Sequence, residues 1–369
     1  MTRVRPVVSR ADRRAFLDLP YRLHRTDPHW IPPLRLAERD RLSSKKNPFF
    51  EHAAHELFLA ERDGRVVGRI AAIDDARHND VHHENIAAFG FFEAETRDDA
   101  RALFEAVEAW AAARGRDAVR GPLNPSMNDQ AGLLIDGFDT DPMVMMPHNP
   151  PEYGTFIEAA GYSKVKDLFA WLFDMRRPVP DVMVQLAERV KQRYQITVRP
   201  LALAEFSREV DRLREIYCGA WENNWGFVPP TEREFRHMAN DLKQIFDPRG
   251  AVIAEVGGRP AACAIAIPDI NQALKGTDGR LFPLGLYRLL RLKKYCTQAR
   301  LLLLGVLSEF RSYRLYPLLV HQLHQQGQGA YQQVEFSWIL EDNRDINQPA
   351  EAAGAVRYKT YRIYQKRVR

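Results

Sequence analysis

The sequence predicts a mixed α/β fold (α+β in its connections) built from two similar units, each a central sheet flanked by helices. Two pairs of matching segments carry this prediction, and both pairs are separated by almost the same number of positions: "ERDGRVVGRIAAI" at 61–73 with "EVGGRPAACAIAI" at 255–267, and "EAAGYSKVK" at 158–166 with "EAAGAVRYK" at 351–359. The first pair has the pattern of a glycine-turned hairpin, and the second that of a helix ending at a glycine before a strand. Two independent matches at one spacing indicate an internal duplication.

The first unit is predicted to span residues 1–178. Apolar or alternating runs predict its strands, and helical periodicity predicts its helices. The segments are, in chain order, the strand "VRPVVS", helical residues through 45, a hairpin at 55–73, the strand "IAAFGFFEAE", the helix "DDARALFEAVEAWAAARG", the strand "DAVRGPL", the short helix "PPEYGTFIEAAG" and the strand "YSKVKDLFAWLF". An insert, residues 124–149, precedes the short helix.

The second unit is predicted to span residues 179–369 and to repeat this order. Its segments are two helices after Ile196, a hairpin, a strand at 300–307, a helix from Arg311, the strand "YQQVEFSWIL", a helix ending at Gly354 and the strand "VRYKTYRIYQKRV". Its insert, residues 269–298, contains "GLYRLLRLKKYC", in which leucines and cations recur at helical spacing. This pattern predicts a basic amphipathic helix that lies on a membrane surface, closes over a substrate or packs on its own domain.

Composition limits the classes of protein that fit. The three cysteines are few and unclustered, so the sequence predicts neither a disulfide framework nor a zinc site, in keeping with a reducing cytoplasm. No apolar stretch approaches the roughly 18 residues of a membrane span, and no basic-then-apolar leader is present. We therefore expect a cytoplasmic protein, at most peripheral at the inner face of the membrane. The net charge of +5 favours anionic partners without choosing among them.

A strand-to-helix turn is the first candidate for a binding site. The apolar run "LLLLGVL" at 301–307 leads into "SEFRSYRLYPLL", and a helix start offers unpaired N–H groups and a positive dipole end to phosphates. The turn contains no glycine, which is needed only where φ is positive or the backbone comes very close to its ligand. Arg311 and Arg314 offer charge instead, and Ser312 can cap the helix start, although two solvated arginines would give the same pattern. The matching turn of the first unit carries Asp98 and Asp99, which would repel a pyrophosphate.

The order of elements, "ILEDN" before the short helix and "EAAG" before the last strand together resemble the GNAT acyltransferase superfamily, in both units. The resemblance implies direct acyl transfer from an acyl-CoA thioester to an amine, with the pyrophosphate bound by a loop of the form R-x-x-G-x-G/A. Here Arg314 and Tyr316 stand at the two glycine positions. The tyrosine that serves many GNAT enzymes as general acid is replaced by Ile157 and Ala350.

The segment "LLLLGVLSEFRSYRLYPLLV" is similar to the corresponding strand and loop of eukaryotic N-myristoyltransferase, another tandem GNAT protein, with its R-S-x-R-x-x-P pattern. This resemblance implies that the coenzyme A loop consists of Arg311, Ser312, Tyr313, Arg314, Leu315 and Tyr316. It also implies that the backbone N–H groups of Leu303 and Leu304 stabilise the oxyanion. The spacing of His78, His82 and His83 could suit a metal, but these histidines lie in a polar segment that is predicted to be a loop, so no metal is expected.

Candidates for the base and for acceptor contacts follow from local patterns. Glu335 alternates with apolar neighbours in its strand, Glu341 ends that strand, and Glu222 lies in "AWENNWGFVPP". No pattern favours one of the three. The same segment contributes Trp221, Asn223, Asn224 and Trp225 as acceptor contacts, unless it is a packed connection between helices. His148, Asn149 and Tyr153, at the end of the first insert, are further polar candidates.

The motifs "GPLNPSMNDQAGLLIDGFD" and "MMPHNPPEYGTFIEAAGYSKVKDL" resemble a bacterial family of tandem GNAT proteins that includes ceramide synthases. The resemblance implies an acyl-CoA-dependent N-acyltransferase of sphingolipid metabolism with a long-chain donor and a lipidic amine acceptor such as a sphingoid base. Its partners would be acyl-CoA, the amine and, at its surface, an anionic membrane, with no nucleic acid favoured. Two alternatives stay open: a Fem-like transferase that uses aminoacyl-tRNA, and a non-catalytic acyl-CoA-binding protein.

Overall fold

The computed structural model describes residues 2–368. Its strands occur, as predicted, in two runs along the chain: β1 Arg3–Pro6, β2 Ala53–Arg62, β3 Arg65–Asp75, β4 Ile86–Ala94, β5 Ala118–Gly121, β6 Leu123–Asn124, β7 Gln130–Ala131, β8 Leu133–Asp136, β9 Ser163–Asp174, β10 Ile196–Pro200, β11 Ala251–Val256, β12 Arg259–Pro268, β13 Gln298–Val306, β14 Gln333–Leu340 and β15 Val356–Arg367.

Helices alternate with these strands: α1 Arg10–Leu23, α2 Arg35–Arg41, α3 Ala76–His82, α4 Arg97–Ala113, α5 Glu152–Ala159, α6 Asp181–Tyr194, α7 Phe206–Trp221, α8 Glu232–Lys243, α9 Asn271–Leu274, α10 Leu286–Leu289, α11 Leu292–Tyr295, α12 Tyr316–Gly327 and α13 Arg344–Ala352. Short 3₁₀ turns cover Pro48–Glu51, Leu203–Glu205, Pro248–Gly250 and Ser308–Tyr313, and a π turn covers Leu281–Gly285. The predicted mixed α/β class is confirmed.

The described residues form two compact units that are interleaved in sequence. Unit 1 consists of residues 2–168, 274–285 and 359–368, and unit 2 of residues 169–273 and 286–358. The divisions fall inside β9 and inside β15, so each of these strands contributes residues to both units. The predicted domain boundary between residues 178 and 179 stays a prediction.

The sheet of unit 1 begins with four strands in antiparallel order, β1, β2, β3 and β4. Strand β5 then pairs with β4 in parallel, from Ile86 opposite Ala118 to Ala88 opposite Arg120. The last part of β15 pairs antiparallel with β5, with Tyr364 opposite Gly121. Buried aromatic side chains from the sheet and from α4 and α5 fill the core on one face, among them Phe89, Phe104 and Tyr153.

The sheet of unit 2 has the same order, with β10, β11, β12 and β13 antiparallel and β14 parallel to β13. The two hairpins turn at matching glycines, Gly64 and Gly258, both with positive φ. Helices α5 and α13 are each followed by a left-handed glycine, Gly161 at φ 91° and Gly354 at φ 87°. Both repeats detected in the sequence therefore have the same local structure in the two units.

The fourth strand of unit 2 is irregular at its centre. Along β12, Ile265 lies opposite Leu303 while Ala266 lies opposite Leu301, so Leu302 is an extra residue, a β-bulge. The register between β13 and β14 ends with Leu301 opposite Phe336, whereas β13 continues along β12 as far as Val306. The second half of β13 therefore pairs with β12 on one side but no longer with β14 on the other.

The second insert, residues 269–298, does not form the continuous amphipathic helix that the sequence predicted, and its residues 274–285 belong to unit 1. Helices α10 and α11 are separated at Arg291, whose backbone φ of −121° is not helical. The amide of Arg291 donates to the carbonyl of Arg288, three residues earlier, so the helical hydrogen-bond pattern tightens and ends there. Apolar periodicity fixed the spacing of the side chains but not the path of the backbone.

Candidate functional site

The loop after β13 has the strand, turn and helix order that the sequence predicted. The chain leaves β13 at Val306, makes the 3₁₀ turn Ser308–Tyr313 and enters α12 at Tyr316, with Pro317 in its first turn. Helix α12 begins later than the predicted start at Arg311, and its N-cap is Leu315, without a side-chain cap. Ser312 therefore does not cap the helix, but it is exposed in the turn together with Arg311 and Arg314.

Arg314 has left-handed backbone angles, with φ 55° and ψ 53°. It stands at the first glycine position of the R-x-x-G-x-G/A pattern, and a positive φ is a conformation that glycine adopts without steric cost. A residue with a Cβ atom holds this conformation at a cost of about 1–2 kcal/mol. The turn thus has backbone angles that suit glycine, although an arginine side chain stands at this position.

The remaining residues of the loop anchor it to unit 2. Leu315 is fully buried, and the ring of Tyr313 stacks on that of Tyr194 at 4.0 Å between centroids. Burial raises the pKa of Tyr316 above its ordinary value. The guanidinium of Arg311 donates to the carbonyl oxygen of Ala220 at 2.9 Å, at the C-terminal end of α7. The loop is therefore anchored to α6 and α7, while Ser312 and Arg314 are exposed.

The segment after α7 adjoins β13. A Cβ atom at position 305 would collide with the indole ring of Trp221, so Gly305 is the residue that lets the ring lie against the strand. Glu222 and Asn223 are exposed, and the amide of Asn224 donates to the carbonyl of Trp221 in a turn. Trp225 is half-buried. The structure thus brings Trp221 and the predicted loop together through Ala220 and β13.

Glu335 lies on β14 in a fully buried position. Its carboxylate accepts hydrogen bonds from the hydroxyl groups of Ser337 and Tyr358. Arg300, opposite Glu335 in the β13–β14 register, places its Nε atom 3.7 Å from the carboxylate and donates to the Ser337 hydroxyl at 2.7 Å. A buried charge requires such compensation, because desolvation of an unpaired ion is costly.

Arg300, Ser337 and Tyr358 were missed by the sequence analysis. The strand pattern could have paired Arg300 with Glu335, because each is the third residue of its strand and β13 and β14 are parallel. The contact with Tyr358 depends on the register of distant strands, which no local pattern contains.

The other predicted catalytic groups are two backbone amides and two carboxylates, and they lie elsewhere than the buried cluster around Glu335. Leu303 and Leu304 follow the bulge at Leu302, in the part of β13 beyond the β14 register. Glu341 follows β14 and is half-buried. Of the three carboxylates, only Glu222 is freely exposed to solvent.

The three predicted residues of the first insert belong to unit 1. The imidazole of His148 shares a 2.9 Å hydrogen bond with Asp27, and burial lowers its pKa in spite of that carboxylate. The side-chain amide of Asn149 bonds both the N–H and the carbonyl of Leu134. Tyr153 is buried and donates to Glu93 at 2.8 Å. Asn149 and Tyr153 thus hold structural contacts within unit 1.

The helix start that corresponds to α12 in unit 1 is occupied by its own side chains. Asp99 is fully buried, accepts from the hydroxyl groups of Thr2 and Thr96, and pairs with Arg62 at 3.0 Å. Thr96 caps α4 by accepting from the amide of Asp99. An added anion would meet a carboxylate where unit 2 offers arginines.

No group of three or more His, Cys, Asp or Glu side chains is placed to hold a metal ion, as far as residues 2–368 are concerned. Of the three histidines weighed as ligands, His78 pairs with Glu84 at 2.9 Å, and its ring contacts that of His82.

Comparison with known proteins gives full-length matches. The chain is 40% identical over 374 residues to the bacterial ceramide synthase of Caulobacter vibrioides (strain NA1000 / CB15N), covering 98% of this chain and 96% of that protein. It is 38% identical over 378 residues to Protein YghO of Escherichia coli (strain K12), covering 99% and 95%. No protein-family profile matches the chain.

Solved structures with the same fold include GNAT proteins. A tandem GNAT protein from the clavulanic acid biosynthesis pathway superposes with a TM-score of 0.60 at 15% identity, over 100% of this chain and 99% of that one. A GCN5-related N-acetyltransferase from Sphaerobacter thermophilus gives 0.53 at 13% identity, over 100% and 96%. These likenesses confirm the predicted tandem GNAT fold.

Proposed function

The chain belongs to the bacterial ceramide synthase family, and from this premise we propose that it transfers a long acyl chain from acyl-CoA to the amine of a lipid such as a sphingoid base. Membership of this family, together with the GNAT fold, makes the chain an acyltransferase. The donor, its chain length and the acceptor are the parts that we propose.

The observation that carries the donor proposal is the loop of unit 2. Arg311, Ser312 and Arg314 are exposed at the turn that leads into α12, where the helix dipole is positive. Charge-assisted hydrogen bonds from guanidinium groups suit a pyrophosphate. In unit 1 the matching helix start is filled by Asp99, so we assign the donor to unit 2 alone.

The thioester would lie beside the second half of β13, beyond the end of the β14 register. There the bulge at Leu302 interrupts the regular pairing of β13 with β12, and the N–H groups of Leu303 and Leu304 are the proposed oxyanion donors. The amine attacks the carbonyl carbon, the C–N bond forms, and the C–S bond breaks to release the coenzyme A thiolate. Trp221, Asn223, Asn224 and Trp225 are the proposed acceptor contacts, with Glu335, Glu222 or Glu341 taking the proton.

Thermal unfolding with a series of acyl-CoA molecules tests the donor. A ligand that binds only the folded state stabilises it by about 2.7 kcal/mol at 100 times its Kd. A long-chain donor site therefore predicts that palmitoyl-CoA raises the unfolding temperature more than decanoyl-CoA does, and that acetyl-CoA raises it least. Incubation with a long-chain amine should then yield the amide, detected by mass spectrometry.

Free coenzyme A and palmitate are the controls for this series. Equal effects of all thioesters would contradict a long-chain donor. Stabilisation without any amide product would instead favour the non-catalytic alternative.

Membrane contact is the second part of the proposal. Within residues 2–368, no helix combines the length and apolar character that crossing a bilayer requires. In unit 2, however, residues 286–295 contain no Asp or Glu and leave Tyr287 and Leu290 exposed by 46% and 78%. Arg291, Lys293 and Lys294 are exposed beside them. Apolar side chains flanked by cations suit an anionic membrane surface.

Flotation with anionic liposomes measures this contact. Replacing Arg291, Lys293 and Lys294 by Gln should release the protein from the liposomes, because each cation near such a surface contributes about 1 kcal/mol. Arg288 is left in place, since it donates to the carbonyl of Ala273.

The matched control removes the same charge from α6, by changing Arg189, Lys191 and Arg193 to Gln. Equal flotation of both triple variants and the parent would show that residues 286–295 are not a membrane surface. Loss of kcat in detergent for the first variant would indicate a substrate lid instead.

A further inference from the structure

Glu335 lies at the place where β13 and β14 cease to pair. Arg300 opposite Glu335 is the last but one pair of their register, and Leu301 opposite Phe336 is the last. In unit 1 the corresponding pair of β4 and β5 is Ala88 opposite Arg120. The fold itself therefore does not require a buried carboxylate at this position. The presence of Glu335 there in unit 2 must have a cause other than the pairing of the strands.

The Glu335 side chain is 0% exposed, so an amine that arrives from solvent cannot contact its carboxyl group directly. One carboxylate oxygen accepts from the hydroxyl of Tyr358, and the other accepts from the hydroxyl of Ser337. Ser337 in turn accepts from Arg300, which is itself almost fully buried. The carboxylate is thus held in one orientation and its charge is balanced from the side opposite Tyr358.

Tyr358 differs from its partners in being half-buried rather than enclosed. A phenol is both a donor and an acceptor, so a hydroxyl that donates its proton to Glu335 presents oxygen lone pairs to another donor. A proton from the amine can therefore reach the buried carboxylate of Glu335 by way of the phenol oxygen of Tyr358. This arrangement connects the end of the β13–β14 register to a buried carboxyl group that lies behind the Tyr358 hydroxyl.

We propose that Tyr358 is the catalytic residue that takes the proton of the attacking amine, and that Glu335, Ser337 and Arg300 are positioning residues that act through it. This inference rests on the proposed function. When the amine nitrogen bonds to the thioester carbon, its surplus proton moves to the Tyr358 oxygen while the phenolic proton moves to Glu335. The C–S bond then breaks, the thiolate leaves, and the proton held by Glu335 returns through Tyr358 to solvent or to the thiolate. Amine plus thioester give amide plus thiol, without any oxidant.

The test is Tyr358→Phe, which removes one oxygen and keeps the ring. The change should lower kcat by roughly 10²- to 10⁴-fold, the usual contribution of a positioned proton-transfer group. The Kd of palmitoyl-CoA, measured by calorimetry, should stay within twofold of the parent value. Glu335→Gln, which keeps the shape but not the charge, should lower kcat to a similar degree, and the double variant should be no slower than the slower single variant.

Tyr331→Phe is the matched control. Its hydroxyl also donates to a carboxylate within unit 2, that of Asp247 at 2.8 Å, and the contact is buried. A purely structural role for Tyr358 predicts equal losses of thermal stability in the two variants with unchanged kcat in both. The proposed role predicts a fall of kcat for Tyr358→Phe alone.

Normal turnover by Tyr358→Phe, with an active parent enzyme, would overturn the relay and leave the proposed function standing. Absence of any amide product from the parent enzyme would overturn the proposed function and the relay with it. A raised Kd for palmitoyl-CoA with unchanged kcat would reassign Tyr358 to donor binding.

Discussion

Replacing Arg311 and Arg314 together by alanine is expected to weaken acyl-CoA binding by about 2–4 kcal/mol, since each guanidinium would lose a charge-assisted contact of ~1–2 kcal/mol with the pyrophosphate. Both side chains are exposed, so neither is needed to fill the core. Calorimetric titration with palmitoyl-CoA measures the loss. An undiminished affinity in the double variant would mean that the loop of unit 2 does not bind the donor.

The structure supplies two controls for this experiment. Arg314→Gly removes the charge and suits the left-handed backbone at that position, so its effect on affinity reports the guanidinium rather than the turn. Asp98→Ala in unit 1 should leave donor affinity unchanged. Asp99 should not be altered with it, because its buried contact with Arg62 holds the start of α4.

A buried ion network in unit 1 leads to the second large effect. Glu93 accepts hydrogen bonds from His24 at 2.7 Å and from Tyr153 at 2.8 Å, and Arg69 lies 3.5 Å from its other oxygen. Glu93→Ala should lower the free energy of unfolding by about 3–5 kcal/mol, because it leaves a buried cation without its counter-charge. Denaturant titration measures this loss, and Glu105→Gln, on the exposed face of α4, should change the free energy by less than about 0.5 kcal/mol.

The same network fixes the direction of a pH effect. Burial alone would raise the pKa of the Glu93 carboxyl, but His24, Arg69 and Tyr153 outweigh it and hold that pKa below its ordinary value. The stabilisation is therefore present above the pKa of the unfolded state and is lost as the pH falls through the lower pKa of the folded state. The stability difference between the parent and Glu93→Ala should shrink in acid. A constant difference from pH 7 down to pH 3 would contradict this account.

Local patterns predicted what local physics determines. The hairpins, the glycines after α5 and α13, and the strand and turn before α12 depend on residues within a few positions of each other, and all were found. The positive φ at Arg314 was not predicted, because an arginine carries no signal for it. The break at Arg291 was also missed, since periodicity describes side-chain faces and not the hydrogen bonds that end a helix.

Contacts between distant segments were not predictable in the same way. The sequence repeat places β15 at the close of the second unit, whereas the structure pairs its last residues with β5 and β8. Pairing partners depend on register and burial over the whole sheet, which one sequence does not display. For the same reason the sequence marked Glu335 but not the Tyr358 hydroxyl beside it.

The interleaving of the two units has a consequence for synthesis on the ribosome. Tyr361, Ile363 and Tyr364 are almost completely buried in unit 1, yet they are translated after every residue of unit 2. Most multidomain chains complete their N-terminal domain first as they emerge. Unit 1 therefore cannot complete its core until β15 has been translated, and a chain that ends before residue 359 would contain all of unit 2 while the part of the unit 1 core that β15 covers stays exposed.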